Sequence, residues 1–351
     1  MAGDKGVRNL AVGVETRLIS HHLWIKMDIT GIAKSFPLVS VIIANFNGAQ
    51  HLEPCLNAVL AQDYPRFEVI LADDGSTDGS PALVRGKFPS VIVLENTHNR
   101  GFAAVNNQAI RASHGDYIVT LNNDTRVEPG FLAEMVRVAE SDSRIGACAP
   151  LIILHHRRLV DSAGIEVDWA GIAWQRRRGE PIGTSRDPEE VFGACAGAAL
   201  YRRTMLDEVG LFDEQYFAYY EDVDLAWRAK LAGWRCVHVP TAIVHHVHSA
   251  FWGKQPGRKT YLLARNKLLT VIKDYPGPEL LLGWPLVLVY DLLSLGYAIW
   301  RGQGISAWRG RWDALTHLGW ALRQRQKIQT LRTKRQPATS MLARPRVRLS
   351  L

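Results

Sequence analysis

Four short polar clusters in this sequence carry residue types able to do chemistry. Asn122-Asn-Asp-Thr125 directly follows the apolar run Tyr117–Leu121. A carboxylate at such a strand end can hold a hard divalent cation, which in turn bridges phosphate oxygens. Asp73-Asp-Gly-Ser-Thr-Asp78 follows a second apolar run and offers a carboxylate to a ribose or a base. Asn99-Arg-Gly-Phe102 stands where a helix opens, so backbone N–H groups and the positive end of the helix dipole face an incoming anion. Glu221-Asp-Val-Asp-Leu225 opens another helix, and a carboxylate there can serve as the base that deprotonates a hydroxyl. Each cluster alone is equally well explained as a helix cap or an Asx turn. Together they indicate chemistry, because each follows an apolar run or opens a helix in a regular alternation.

That alternation starts at Val39–Ala44, a buried-strand run ended by Asn45-Phe-Asn-Gly48. A helix is expected over 51–62, a strand over Phe67–Ala72, and a helix over 80–87. Strand Val91–Leu94, helix 102–113, strand Tyr117–Leu121, helix 129–140 and strand 146–153 complete the series. Strands and helices alternating at this spacing imply a doubly wound parallel sheet with ligands at the strand C-terminal ends. Residues 155–200 are less regular, with Arg176-Arg-Arg178 reading as a solvated loop. Gly193-Ala-Cys-Ala-Gly-Ala-Ala-Leu200 reads as a small-residue strand. Strand Cys236–Val239 leads to His245-His-Val-His248, and residues 1–36 read as an extension ending at Pro37.

The chain has 351 residues, 47% of them hydrophobic and 22% charged, which excludes wholesale disorder. Its four cysteines have no metal-binding spacing, so a reducing compartment is expected, and no secretory leader pattern opens the sequence. The net charge of +8 is concentrated at one end: residues 301–351 hold 12 Lys/Arg against a single acid, Asp313. Residues 280–300 are nearly long enough to span a bilayer, but Pro285 and Asp291 interrupt them. An acid at mid-span costs roughly 2.5–3.5 kcal/mol on insertion scales. With Trp284, Trp300, Trp308, Trp312 and Trp320 at apolar–polar borders, an interfacial anchor on an anionic membrane is expected. A true span and a buried hairpin are the alternatives. No nucleic-acid partner is expected, since the basic residues are interleaved with Trp and Leu and no binding fold is present.

Five ordered motifs then carry a resemblance: Asn45-Phe-Asn-Gly48 after its strand, Asp73-Asp-Gly-Ser-Thr-Asp-Gly-Ser80, Asn99–Asn107, Leu121–Thr125, and Gly193–Leu200 with Phe217–Leu225. In this order they resemble the family 2 glycosyltransferases of the GT-A fold, in the manner of the bacterial rhamnosyltransferase-like branch. The resemblance implies an α/β, GT-A (Rossmann-like), mixed and mostly parallel sheet with flanking helices, plus a C-terminal amphipathic helical membrane-associated region. It implies an extension at 1–36, a catalytic domain at 37–255, a helical membrane-associating region at 256–330 and a basic tail at 331–351.

By the same resemblance the reaction is inverting sugar transfer with Asp222 as base. One base suffices for direct attack, unlike the two-carboxylate hydrolases. The donor nucleotide falls to Ala44, Phe46, Asp73, Asn99, Gly101, Asn107 and Asn123, and the acceptor side to Glu221, Gly197 and Arg228. Arg228 also stands four residues after Asp224, the spacing of a helix ion pair. A divalent cation, Mg2+ or Mn2+, falls to Asp124, Asn122 and His246, with His245 and His248 as competitors for the last place. Asn122 departs from the acidic residue usual at the start of that motif. Arg265-Asn-Lys267 resembles an element that follows the catalytic domain, its basic groups able to meet lipid phosphates or simply to face solvent. A nucleotide-sugar donor such as dTDP-rhamnose is implied, with a UDP-hexose or a silent sugar-nucleotide-binding scaffold as alternatives. The acceptor is a glycan or a lipid-linked sugar, at the cytoplasmic face of the membrane.

Overall fold

Alternation within the first strand already sets up two cores. In β1 (Val39–Asn45) the side chains of Val39, Val41 and Ile43 enter one hydrophobic cluster, and Ile42 enters the other, on the opposite face of the sheet. Burial on both faces is what a parallel central strand requires. The computed structural model describes residues 36–154, 158–247, 256–332 and 342, and Pro37–Leu351 cluster as one compact unit.

Strands β2 (Phe67–Asp73), β3 (Ile92–Glu95) and β4 (Tyr117–Asn122) join β1 in parallel, connected by α1 (Ala49–Leu60), α2 (Ser80–Lys87) and α3 (Phe102–Ala112). The chain continues through β5 (Thr125–Val127), α4 (Phe131–Glu140) and β6 (Ile145–Leu154). Four short strands follow, β7 (Leu159–Ser162), β8 (Ile165–Val167), β9 (Ala173–Gln175) and β10 (Glu189–Val191). Next come β11 (Ala198–Arg202), α5 (Arg203–Val209), one 3-10 turn at Glu214–Tyr216, α6 (Glu221–Leu231) and β12 (Arg235–His246). The main sheet runs β10-β12-β6-β11-β4-β1-β2-β3, with β5 on β12 and β7 on β6; β8 and β9 pair separately. Strand β11 lies antiparallel between β4 and β6, and β12 runs parallel to β6, so the sheet is mixed and mostly parallel as the resemblance implied.

Three local readings change. The expected strand 193–200 begins only at Ala198, because the preceding backbone is diverted to the site: Gly197 O accepts from Asn122 N at 2.8 Å, and Ala196 N donates to the Asp222 carboxylate. The irregular stretch after 155 contains short strands that only sheet pairing could create. The strand expected to end at Val239 runs on to His246, with a shift of register between Val239 and Ile243 around Pro240.

Helices α7 (Pro256–Asp274), α8 (Gly277–Trp300), α9 (Gly304–Thr316) and α10 (Leu318–Gln329) complete the described chain. Their core is continuous with the α/β half, since Trp227 of α6 packs on Tyr275 at 4.6 Å between ring centroids and on Phe192 at 5.0 Å. Arg265, Asn266 and Lys267 are buried, and so do not face lipid phosphates. Lys267 instead bonds Asp291 at 2.7 Å, as does Arg311 of α9, while Arg265 pairs with Asp313 at 2.7 Å. Among the described residues α8 contains one stretch, Leu280–Trp300, long and apolar enough to cross a membrane. Its acid is turned inward and paired, and Leu281, Leu282, Leu292, Leu293 and Trp300 are turned outward.

A charge cluster ties α6 to α7. Asp224, fully buried, accepts two hydrogen bonds from Arg228 at 2.9 and 2.7 Å and pairs with Lys273, which also reaches Asp213. Removing one partner of a buried pair leaves an uncompensated charge and costs about 3–5 kcal/mol. Asp224→Ala is therefore expected to lose stability of that order in urea denaturation; a loss below about 1 kcal/mol would mean that water already compensates the cations.

Candidate active site

Register brings three strand ends together. Asn45 pairs with Asp73 across β1–β2, and Ala44 pairs with Asn122 across β1–β4. Asn45 is the hub: its amide donates to Asp73 Oδ1 at 2.7 Å and to Ser76 Oγ at 3.2 Å, and its oxygen accepts from Asn123 Nδ2 at 2.6 Å. Gly48 makes room for Asn123, because a Cβ there would collide with the Asn123 amide. Asp73 also accepts from Ser76 N at 2.9 Å and Ser76 Oγ at 2.6 Å. A carboxylate has about four acceptor positions, so one remains, on Oδ2, for an incoming donor. Ala44 and Phe46 flank this floor and are half-buried.

The neighbouring Asp74, to which the sequence reading gave no role, shapes the turn at Asn99–Gly101. Its carboxylate accepts from Arg100 N at 2.9 Å, Gly101 N at 2.8 Å and Asn96 Nδ2 at 3.1 Å. Gly101 has φ +96°, and a Cβ there would strike the Phe217 ring and carbonyl, so no other residue fits. Asn99 stands in this turn with its side-chain oxygen buried and no hydrogen-bond partner. Asn107 does not face the donor. Its amide is spent on Phe212 O at 2.8 Å, Glu214 Oε1 at 3.0 Å and Phe212 N at 3.1 Å, which fastens α3 to the 212–214 segment.

The three-residue β5 pairs with β12 so that His246 lies opposite Thr125, next to Asp124. Strand alternation then separates the two described histidines. His245 turns to Glu128 at 3.1 Å, whereas His246 Nε2 lies 3.3 Å from Asp124 Oδ1. His248 lies outside the described residues. Asp161 Oδ2 holds His246 Nδ1 at 2.7 Å, the arrangement in which a carboxylate orients an imidazole toward a metal. Burial alone would lower the His246 pKa, but hydrogen bonds to Asp124 and Asp161 push it up to about 9, so the spot attracts positive charge. Adjacent ligands of an octahedral cation stand about 3 Å apart, which suits the Asp124–His246 pair. Among the described residues no three His, Cys, Asp or Glu side chains form a closed cage, so water and phosphate oxygens would complete an open site.

Asp222 opens α6 on the other side of the Gly197 loop. It is half-buried and accepts from Val223 N at 2.9 Å and Ala196 N at 3.3 Å. Desolvation, only partly offset by these hydrogen bonds, pushes its carboxyl up to about 6. Burial and then the Asp222 charge push the adjacent buried Glu221 well above the usual carboxylate range, and its Oε2 has no partner. The pair thus favours one proton, held by Glu221, and one charge, on Asp222. Arg228 is not on the acceptor side: besides Asp224 it bonds the carbonyls of Val209, Gly210 and Leu211, which uses its guanidinium structurally.

The approach to Asp222 is strained. Phe217, Tyr219 and Tyr220 have φ of 62°, 68° and 69°, a region that bulky residues rarely enter and that costs of order 1–3 kcal/mol each. Asn266 of α7 holds the loop, donating to the carbonyls of Tyr216, Ala218 and Tyr219 at 2.9, 3.0 and 2.8 Å, while Arg265 donates to Gln215 O at 2.7 Å. Asp161 and this role of Asn266 were invisible in the sequence, since their partners lie 85 and about 50 positions away. Replacing Asn266 by Ala frees three carbonyls beside Asp222. We expect turnover to fall about 100-fold, with donor affinity within about twofold of wild type. Equal turnover in the folded variant would show that the loop holds itself.

Comparison with known proteins agrees with this geometry. Residues 40–210 match the model of the family described as Glycosyl transferase family 2. N-acetylglucosaminyl-diphospho-decaprenol L-rhamnosyltransferase of Mycobacterium tuberculosis is 31% identical over 260 residues, covering 66% of this chain and 82% of that protein. Among solved structures, a mannosyltransferase from Pyrobaculum calidifontis in complex with GDP-Man and Mn2+ is similar with a TM-score of 0.53 at 21% identity, over 85% of this chain and 86% of that one. GalNAc-T7 with UDP, GalNAc and Mn2+ gives 0.56 at 19% identity, over 68% and 48%. These structural likenesses establish the GT-A fold. The extent of the match to the mycobacterial enzyme, with the motif order and the family match, establishes that the chain belongs to glycosyl transferase family 2 and is a glycosyltransferase.

Proposed function

We propose that this enzyme moves a deoxysugar of the rhamnose class, with inversion, from a nucleotide diphosphate donor to a hydroxyl of a lipid-linked acceptor. The observation that carries the reading is the likeness to the mycobacterial rhamnosyltransferase across 82% of that protein. Asp73 receives the nucleoside through its remaining acceptor position, and the Asn99–Gly101 turn lies toward the diphosphate. Asp222 accepts the proton of the acceptor hydroxyl as its oxygen bonds to the anomeric carbon. The bond from that carbon to the donor diphosphate breaks, and the diphosphate leaves with the electron pair. Mg2+ or Mn2+, held by Asp124 and His246 with Asn122 beside them, would supply counter-charge to the leaving diphosphate. Glu221, protonated beside the base, keeps the pocket from holding two like charges. The exposed apolar face of α8 and α9 supports work at a membrane surface, and its paired Asp291 supports an interfacial position over a span.

Calorimetric titration with dTDP, UDP and GDP, with and without Mn2+, tests the donor side. Tighter binding of dTDP in the presence of Mn2+, lost in Asp124→Ala, is expected. A preference for UDP would make the donor a UDP-hexose, and no nucleotide binding at all would overturn the donor-site assignment. Asp222→Asn should lower turnover by about 10²–10⁴ with donor affinity kept. The base must be deprotonated to act. With its pKa raised to about 6, turnover should therefore fall as pH drops through 6, a limb absent from the residual rate of Asp222→Asn. Persistence of that limb in the variant would assign it to another group.

A further inference from the structure

Two departures from regular strand pairing, on opposite edges of β6, bring Asp161 and His246 together. On one edge β12 shifts register between Val239 and Ile243, then runs on to place His246 opposite Leu154. On the other edge Leu154 pairs with Leu159 of β7, Ile153 with Val160 and Ile152 with Ser162. The last step along β6 is matched by two along β7, and Asp161 is the residue inserted by this bulge. A bulge re-aims a side chain that regular alternation would direct elsewhere, and bulges are common beside active sites. The flanking Val160 and Ala163 pack with Leu151 and Ile153 in an apolar cluster, beside which a buried carboxylate is costly unless it is paired. Asp161 is paired at both oxygens: Oδ2 lies 2.7 Å from His246 Nδ1, and Oδ1 lies 3.4 Å from Arg178 Nε.

The charge of the cation site gives that carboxylate a use. Of the candidate ligands Asp124, Asn122 and His246, only Asp124 brings a negative charge, since an imidazole ligates in its neutral form. The number of charged ligands is one of the levers that set affinity for a hard divalent cation. Asp161 is not placed as one more ligand, because the His246 ring stands between the two carboxylates, its Nε2 3.3 Å from Asp124 Oδ1. With Nδ1–H donated to Asp161, the ring presents its Nε2 lone pair on the side of Asp124. The charge of a carboxylate behind the ring makes that nitrogen a stronger donor.

We propose that Asp161 is a positioning residue of the cation site, holding the His246 ring with Nε2 toward the cation and supplying through it the second negative charge that Asn122 lacks. The assignment deepens the proposed function and rests on its reading of a cation held by Asp124 and His246. It gives β7, a strand absent from the sequence reading, a part in the site.

Mn2+ titrated into the enzyme, alone and with equimolar dTDP, and followed by the EPR signal of the free ion, tests the assignment without turnover. Asp161→Asn occupies the same volume and can still accept the Nδ1–H bond, so folding is expected to survive while the charge is lost. It should weaken Mn2+ binding about 10-fold or more. In enzyme already carrying His246→Ala, the same substitution should change Mn2+ affinity by less than about twofold, because the ring through which it acts is gone. A general loosening of β7 would weaken Mn2+ binding in both backgrounds. Equal loss in both backgrounds, or no loss in either, would overturn the assignment and leave the cation reading in place. A wild type that binds no Mn2+ under either condition would instead overturn the cation reading, and the assignment with it.

Discussion

Asn266 donates its side-chain amide to the carbonyls of Tyr216, Ala218 and Tyr219, and the placement of Asp222 depends on that contact. Three bulky residues at positive φ do not stay there by local preference, and the summed strain is several kcal/mol. The donor that offsets it is fully buried and belongs to a helix outside the α/β sheet. The catalytic half therefore lacks a complete site without α7. Arg265 and Lys267, on either side of Asn266, anchor α7 to Asp313 and Asp291, so the same three residues connect the loop to the apolar-faced helices.

Around this contact the polar groups divide sharply into those that build and those that remain available. Asp74, Asn45, Asn107 and Arg228 spend their hydrogen-bonding capacity on backbone groups and neighbouring side chains, which rigidifies the strand ends and the segment before α6. Asp73 keeps one acceptor position, Asn99 an unpartnered oxygen and Asp222 a half-exposed carboxylate. Raised proton affinity at Asp222 follows from burial at the edge of the core, only partly offset by its hydrogen bonds from Ala196 and Val223, and it suits the proposed role of Asp222 as base.

The C-terminal helices resolve a conflict present in their composition. A 21-residue apolar stretch with an acid in it suits neither a soluble surface nor a bilayer core. Folding α7 and α9 against one side of α8 gives Asp291 two cationic partners and leaves an apolar face without an exposed acid. The outward apolar face of α8 and the shaping of the loop before Asp222 therefore depend on one packing arrangement.

The strand–helix alternation, the two-sided burial of β1 and the polar clusters at strand ends could all be read from residues alone, because period and turn chemistry are local properties. Asp73, Asp124 and Asp222 were singled out as candidates in this way, and the motif order sufficed for the family. Local pattern could not separate His245 from His246, since the choice depends on the register of β12 against the three-residue β5. It gave Asn107 to the donor and left Arg228 between an ion pair with Asp224 and an acceptor contact, because only the positions of Phe212, Glu214 and the Val209–Leu211 carbonyls show the two side chains to be occupied. It left Arg265 and Lys267 between lipid phosphates and solvent, and the burial of α7 excluded both. Sequence thus determined which elements form and which groups are available for chemistry, since both follow from side-chain type and spacing. Tertiary structure decided which of those groups are spent on the fold and which are left facing the cleft, because hydrogen-bond satisfaction is settled between residues far apart in the chain.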